Sequence, residues 1–463
     1  MNAATEMTKQ GGRNMGYDAL RKAVKLVDQS YVTKDFRESH DLGKGPGSAS
    51  FEHPYSDLGH GMMKTDWEEG INFERLRNER LVKAREALAK TDVDALFCFR
   101  LENVRYLTSY RSHGFPMMFW GLASVVLVND KKMAPLLYTM DVDHCRLRMP
   151  WMAETTFLSP GGGLEVAEGA KVWANELKKH LSDLGIKKLD KIAVDSWSAG
   201  MFEGFPQAFP GSKFINGQQI MLGARVVKTW DEIQCLKMAH LMTMAGVQAG
   251  LEVMRPGMKE CEVRAEIFHA FDHFGSEGAQ TTNCIVCSGG GTVPYRRFTS
   301  DKIIDYGDLV IIDMGASFNG YYGDMTRVYV CGKGAKPSKR QIELHTQAFS
   351  ALKRAEKAIK PGGTTYDPAE ACRAQYIMGG LLGHGLGVAG VEGPFIGSPS
   401  PAAKAAAQVF EPGMVFSIEP YYGEVGVGGI RLEDVMVVTD HGLEIISKFP
   451  FDERLIDEKL CEF

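Results

Sequence analysis

Apolar residues recur at helical spacing over residues 73–88, where Leu76, Leu81, Ala84 and Leu88 share one face. The run at 95–99 (ALFCF) then has the length and composition of a buried strand, as does 123–128. A helical pattern over 167–184 leads into another short strand at 191–195. Alternation of helices and strands over this part predicts an α/β domain. A long helix is predicted over 231–254, stopped by Pro256-Gly257, and a second over 260–274. Beyond them the pattern changes to glycine-punctuated strands at 284–287, 309–313, 326–330, 415–419 and 434–438, with helices inserted at 339–359 and 367–378. This second half reads as α+β. Residues 1–70 carry little periodic signal, and the turn-rich 41–50 predicts an arm rather than a domain. The expected organisation is therefore an N-terminal arm (1–70), a first domain (71–224) and a second domain (225–463).

Composition narrows the partners more than the fold. Fifty-three basic and 58 acidic residues leave a net charge of −5, which points away from nucleic acid and from a polybasic membrane surface. No apolar run reaches the ~18–20 residues that span a bilayer, and the polar start of the chain lacks the apolar core of a signal peptide. Nine scattered cysteines do not form a disulfide framework. The expected setting is the cytoplasm. Cys284 and Cys287 have CxxC spacing but sit in an apolar run without a second pair, so they read as buried strand positions. His269 and His273 share a helix face without an accompanying acid and read as ordinary helix positions.

The chemistry lies in two acidic hairpins. In LVIIDMGASFNGYYGDMTRVYV the point midway between Asp313 and Asp324, at 318.5, falls inside a turn-rich segment. Pairing about that centre would face the two carboxylates across a hairpin with Cβ atoms ~5 Å apart. In SIEPYYGEVGVGGIRLEDVMVV the midpoint of Glu419 and Glu433 is Gly426, in a glycine-rich turn. Like charges held face to face need a shared proton or a cation. Between the hairpins His384 stands in Leu-Gly-His-Gly-Leu-Gly, where the glycines let the backbone approach something closely. Four acids and one imidazole suit two divalent cations ~3.5 Å apart, which would activate a water and polarise a substrate oxygen.

Asp313, Asp324, His384, Glu419 and Glu433, in the contexts IIDMGA, YYGDMTR, GHGLG, SIEP and RLED, resemble in order the five metal ligands of the pita-bread metallohydrolases. That family includes methionine aminopeptidases, aminopeptidase P, prolidase and the metal-free creatinases. The resemblance runs from about Arg225 to Asp440, and NVRYLTSY (103–110) is similar to a segment of creatinase- and prolidase-type N-terminal domains. It implies an α+β chain with a C-terminal pita-bread catalytic domain and an α/β creatinase/prolidase-type N-terminal domain. It also implies two bound divalent ions (manganese, iron, cobalt or zinc), Glu419 near the nucleophilic water, and Arg431 bracing Glu433. A homodimer is implied as well, with first-domain loops such as that of His113 reaching the neighbouring site. The activity implied is hydrolysis of a C–N bond in a small carboxylate-bearing substrate, with Xaa-Pro peptides first.

Two positions depart from the family's peptidases. Substrate-facing histidines are expected before the first hairpin and seven residues after His384; here stand Tyr295, Arg296 and Arg297 in one place and Val391 followed by Glu392 in the other. Loss of oxyanion donors costs ~10²–10³ in acyl chemistry, so Tyr295, Arg296, Arg297 and His113 become candidate substrate contacts, and Glu392 joins Glu419 and Arg431 as a candidate catalytic group. The segments FERLRNERL, NVRYLTS and ISKFPFD are also similar to dimethylsulfoniopropionate lyases of the same fold. A metal-dependent lyase with Glu392 as base is therefore the alternative, beside a creatinase-type non-peptide hydrolase.

Overall fold

A computed structural model describes residues 70–111, 121–161, 163–277, 282–374 and 381–461. The arm expected over 1–70 lies, but for Gly70, outside the described residues, as does the loop that carries His113. Phe73–Phe463 forms one compact unit.

The first half is built from α1 (Phe73–Ala89), β1 (Ala95–Cys98), α2 (Leu101–Thr108), β2 (Ala123–Val128), β3 (Leu136–Thr139), α3 (Val142–Arg148) and β4 (Thr156–Leu158). It continues with α4 (Ala167–Asp183), β5 (Lys191–Val194), α5 (Ala199–Ala208), β6 (Lys213–Asn216) and α6 (Gln218–Arg225). Its strands form one mixed sheet in the order β4-β3-β2-β1-β5-β6. Because β1 and β2 are buried on both faces, they read in the sequence as unbroken apolar runs rather than alternating ones. Trp173, Leu177 and Leu181 of α4 and Phe205 of α5 pack with Phe97, Val126 and Tyr138 of the sheet into one core.

On α1 the buried stripe is Leu76, Arg80, Ala84 and Leu88, an i, i+4 series that passes through an arginine where the apolar pattern had pointed to Leu81. Arg80 is buried because its guanidinium reaches the hydroxyl groups of Tyr321 and Ser109.

The second half opens with α7 (Trp230–Val253) and α8 (Glu260–His273), which pack on the antiparallel sheet of β7 (Thr282–Ser288), β8 (Leu309–Gly315) and β11 (Met325–Val330), where β8 is central. The tip of the β8–β11 hairpin is the short ladder of β9 (Ser317–Phe318) and β10 (Tyr321–Tyr322). Next come α9 (Lys339–Ala358) and α10 (Tyr366–Cys372), which cover a five-stranded antiparallel sheet in the order β13-β12-β14-β17-β18. Its strands are β12 (Leu381–Gly385), β13 (Glu392–Gly397), β14 (Val415–Ile418), β17 (Asp434–Thr439) and β18 (Gly442–Ile445). The tip connecting β14 to β17 is the ribbon β15 (Tyr421–Glu424) and β16 (Gly428–Arg431). No helix among the described residues is long and apolar enough to cross a membrane.

Candidate metal centre

Hairpin register decides how the carboxylates meet. In the second hairpin Val415 pairs with Val437, Ile418 with Asp434 and Tyr421 with Arg431, so both ladders share one register centred on Gly426. Extending that register sets Glu419 opposite Glu433 at the break between the ladders, as the sequence symmetry predicts. Gly426 has φ +85°, the left-handed conformation that glycine adopts freely.

The first hairpin differs from expectation. Phe318 pairs with Tyr321, and Asp313 pairs with Thr326 rather than with Asp324. The two-residue turn is Asn319-Gly320, with φ of 49° and 79°. This is the tight-turn dipeptide whose twist suits a hairpin, and it shifts the centre from 318.5 by one position. A shift of one in the centre slides the pairing by two residues, so Asp324 lies diagonal to Asp313 on the same face.

The two hairpins converge through backbone contacts. The Glu433 N–H donates to the Thr326 carbonyl (3.1 Å), and the Glu419 N–H donates to the Leu382 carbonyl (2.9 Å), beside His384. Asp324, His384 and Glu433 thereby present ligand atoms within 4.8 Å of one another, and all three side chains are buried. His384 Nε2 is 3.8 Å from Asp324 Oδ2 and 3.5 Å from Glu419 Oε1. Its Nδ1 lies 3.1 Å from the Gly385 carbonyl, which assigns the proton to Nδ1 and turns the Nε2 lone pair toward the carboxylates.

Asp313 and Glu433 are each tied down at one oxygen. The Tyr295 hydroxyl donates to Asp313 Oδ2 (2.7 Å) and the Thr326 hydroxyl to Glu433 Oε2 (2.7 Å). The opposite oxygens, Asp313 Oδ1 and Glu433 Oε1, are buried without a hydrogen-bond partner among the described residues, and so is Asp324 Oδ1. Arg431 pairs with Glu419 and lies 3.8 Å from Asp313, and its charge also acts on Glu433, the partner that the resemblance implied. One guanidinium does not balance four buried carboxylates. The unspent oxygens and the imidazole lone pair make a donor set that divalent ions fit.

The protonation energetics agree. Burial, reinforced by the Glu433 and Asp313 charges, holds the Asp324 carboxyl well above the usual carboxylate range. Burial and the Asp313 charge push Glu433 up to about 7 from an ordinary 4.5. Raised in the fold, the Glu433 contribution to stability is full below about pH 4.5 and is lost as pH rises through about 7. In chelator the protein is therefore expected to lose roughly 1 kcal/mol from this group between pH 6.5 and 8.5. Urea midpoints of wild type and Glu433→Gln, each with EDTA and with saturating Mn²⁺, check this: the loss should shrink in the variant and with the ion.

Residues 234–440 match the model of Metallopeptidase family M24, and residues 80–227 match that of the Creatinase/Prolidase N-terminal domain. The chain is 31% identical over 280 residues to the Xaa-Pro dipeptidase of Pyrococcus furiosus, an alignment that covers 59% of this chain and 76% of that protein. The chain belongs to metallopeptidase family M24. It is also 26% identical over 381 residues to the uncharacterized peptidase YqhT of Bacillus subtilis, with 80% of this chain and 98% of that protein covered. Among solved structures, the Xaa-Pro dipeptidase from Bacillus anthracis superposes with a TM-score of 0.66 at 25% identity, covering 82% of this chain and all of that one. An M24 chain with a creatinase/prolidase-type N-terminal domain is a metallohydrolase of the pita-bread fold.

Within this M24 frame, the glycines around His384 make room for specific neighbours. A Cβ at Gly383 would overlap the Ser417 carbonyl, one at Gly385 the Gly393 carbonyl, and one at Gly387 the Glu392 carboxylate. Strands on both sides thus press on the histidine's backbone. Gly385→Ala is expected to push β12 away from β13, costing about 1–3 kcal/mol as overpacking does and moving His384. A lowered urea midpoint together with weaker Mn²⁺ binding by calorimetry is the expected result.

The remaining sequence candidates lie elsewhere. Arg296 pairs with Glu260, and Arg297 is exposed. Glu392 is buried, with its oxygens 3.0 Å from Lys228 Nζ and 3.2 Å from Arg225 Nε. Two supporting residues escaped sequence reading. His240 on α7 accepts the Asp324 N–H at Nε2 (3.3 Å), and burial lowers it to about 4, which keeps the ring neutral. Arg327 lies behind the cluster, bonded to the Glu433 carbonyl and to Asp434. No local pattern marks either one, because each is defined by a partner far along the chain.

Proposed function

We propose that the chain is a dinuclear metal-dependent hydrolase that cleaves the amide bond of small carboxylate-bearing substrates, Xaa-Pro peptides first. One observation carries this: four buried carboxylates and a neutral imidazole converge with unspent acceptor atoms and, among the described residues, Arg431 alone as a cation paired with one of them. Asp313, Asp324, His384, Glu419 and Glu433 are the residues that would hold the ions. When bound, such ions activate a water and polarise the scissile carbonyl.

The protein's own groups supply the rest. Arg431 holds Glu419 by an ion pair, and Glu419 is the carboxylate placed to take a proton. Glu419 receives the proton of the attacking water and returns it to the departing amine nitrogen. Tyr295 and Thr326 lock the rotamers of Asp313 and Glu433, so that one oxygen of each stays turned to the centre. The Xaa-Pro dipeptidases among the relatives support this substrate class.

The lyase alternative requires Glu392 to abstract a proton, and its pairing with Arg225 and Lys228 disfavours that role. The reading includes a domain boundary near Arg225, supported by family matches that end at 227 and begin at 234. It also includes a homodimer in the cytoplasm. Sedimentation of the purified chain tests the dimer. Hydrolysis of Xaa-Pro dipeptides that requires Mn²⁺ tests the activity, and turnover that survives exhaustive chelation would overturn it.

A further inference from the structure

Glu392 begins β13, directly opposite Gly385 in the ladder, so these two residues close the base of the loop that follows His384. Few backbone bonds hold the loop itself: Leu386 N–H to the Val415 carbonyl (3.2 Å), Gly387 N–H to the Ala389 carbonyl (3.1 Å), and Tyr322 N–H to the Gly387 carbonyl (3.1 Å). Residues 388–391 of the loop face Arg100, Glu102 and Tyr110 of the first half across a cleft of about 290 Å³. Holding this wall in place therefore sets the width of the cleft.

The anchor is the buried trio of Glu392, Arg225 and Lys228. Arg225 also bonds to Asn103 of α2, and the Asn103 amide donates to Asp195 (2.7 Å). Asp195 in turn accepts the N–H groups of Phe99 and Arg100 (2.8 and 3.2 Å) at the start of α2. A continuous buried polar chain thus joins the helix on one side of the cleft to the loop on the other.

We infer that Glu392 is a positioning residue: held by Arg225 and Lys228, its carboxylate fixes the loop 386–391 against α2 and so shapes the cleft walled by the loop that leads away from His384, as the seat of the substrate. The Gly387 backbone lies against this carboxylate so closely that no Cβ fits between them. The inference rests on the hydrolase reading for its kinetic consequence and on the geometry alone for its mechanical one.

The test uses the full chain loaded with Mn²⁺. Glu392→Gln alone would strand two buried cations, so the main variant is Glu392→Gln/Lys228→Met, which removes one charge of each sign. Amide hydrogen exchange over 386–391 should accelerate at least about 10-fold while α9 and the first-half sheet keep their protection. With an Xaa-Pro substrate, KM should rise about 10-fold or more while kcat stays within about threefold and the pH–rate profile keeps both limbs. Gly387→Ala disturbs the same contact without changing charge, and the same local acceleration is expected should the double variant fail to fold. Unchanged exchange in the loop would overturn the inference. So would a kcat loss of 100-fold with one limb of the profile gone, since that marks a proton carrier. If wild type cleaves no Xaa-Pro peptide but the loop loosens as stated, the positioning role stands and the substrate assignment falls.

Discussion

Asp324→Asn is expected to remove Xaa-Pro hydrolysis by well over the roughly 10–100-fold that changes to a ligand's outer partners produce, and to raise rather than lower the stability of the chelated protein. The two effects have one cause. Asp324 is buried beside Asp313 and Glu433, and its carboxylate is disfavoured by burial and by both of those charges. An amide keeps the shape and the backbone bond to His240 while removing a repelling charge. The same charge is what makes Asp324 a donor to a divalent ion, so the variant should bind Mn²⁺ weakly. Calorimetric titration with Mn²⁺, urea midpoints in EDTA and turnover together check the opposition. A variant that is destabilised in chelator would mean that Asp324 is held by ordinary hydrogen bonds.

The second large effect falls on Arg327. Its guanidinium is fully engaged: Nε donates to the Phe449 carbonyl (3.1 Å), Nη1 to the Thr326 carbonyl (3.0 Å) and the Glu433 carbonyl, and Nη2 to Asp434 Oδ1 (2.7 Å) and the Ser447 carbonyl (3.0 Å). Its plane also stands 4.1 Å from the Phe451 ring centroid. Arg327 thus ties β11, β17 and the C-terminal segment together behind the acidic cluster. Breaking a buried pair by removing one partner costs about 3–5 kcal/mol, because the other charge is left uncompensated. Arg327→Met should lower stability by that amount in urea unfolding. Arg327→Lys should not restore it, since three donors on a point charge do not reproduce a planar fork. Recovery by lysine would mean that charge alone matters there.

What was legible in the sequence follows from how local each signal is. The Glu419–Glu433 pairing could be read because the turn is symmetric about Gly426 and no inserted residue shifts the register across the break between the two ladders. The Asp313–Asp324 pairing could not be read by symmetry alone: the Asn319-Gly320 dipeptide, a tight-turn signal in its own right, moved the register by two. Arg80 replaced a leucine in the buried face of α1 because its partner, Tyr321, lies far along the chain. The glycines flanking His384 signalled a close approach, whereas the neighbours they admit, Ser417, Gly393 and Glu392, appear only in the sheet. Likewise Glu392 read as a candidate catalytic base, and only the fold shows Arg225 and Lys228 closed on it. The four acids were marked by type and position within apolar strands and His384 by its glycines; Thr326, Arg327 and His240, which support them, were not marked, because tertiary contacts alone define them.

The most direct measurement is proline release from a panel of Xaa-Pro dipeptides by the Mn²⁺-loaded chain, with bound metal counted in the same sample and Asp324→Asn run beside it. The account predicts two ions per chain in the wild type, proline released in proportion to metal content, and neither in the variant. Two bound ions with no proline released from any Xaa-Pro peptide would contradict the substrate assignment, and release that persists in the variant would contradict the metal centre itself.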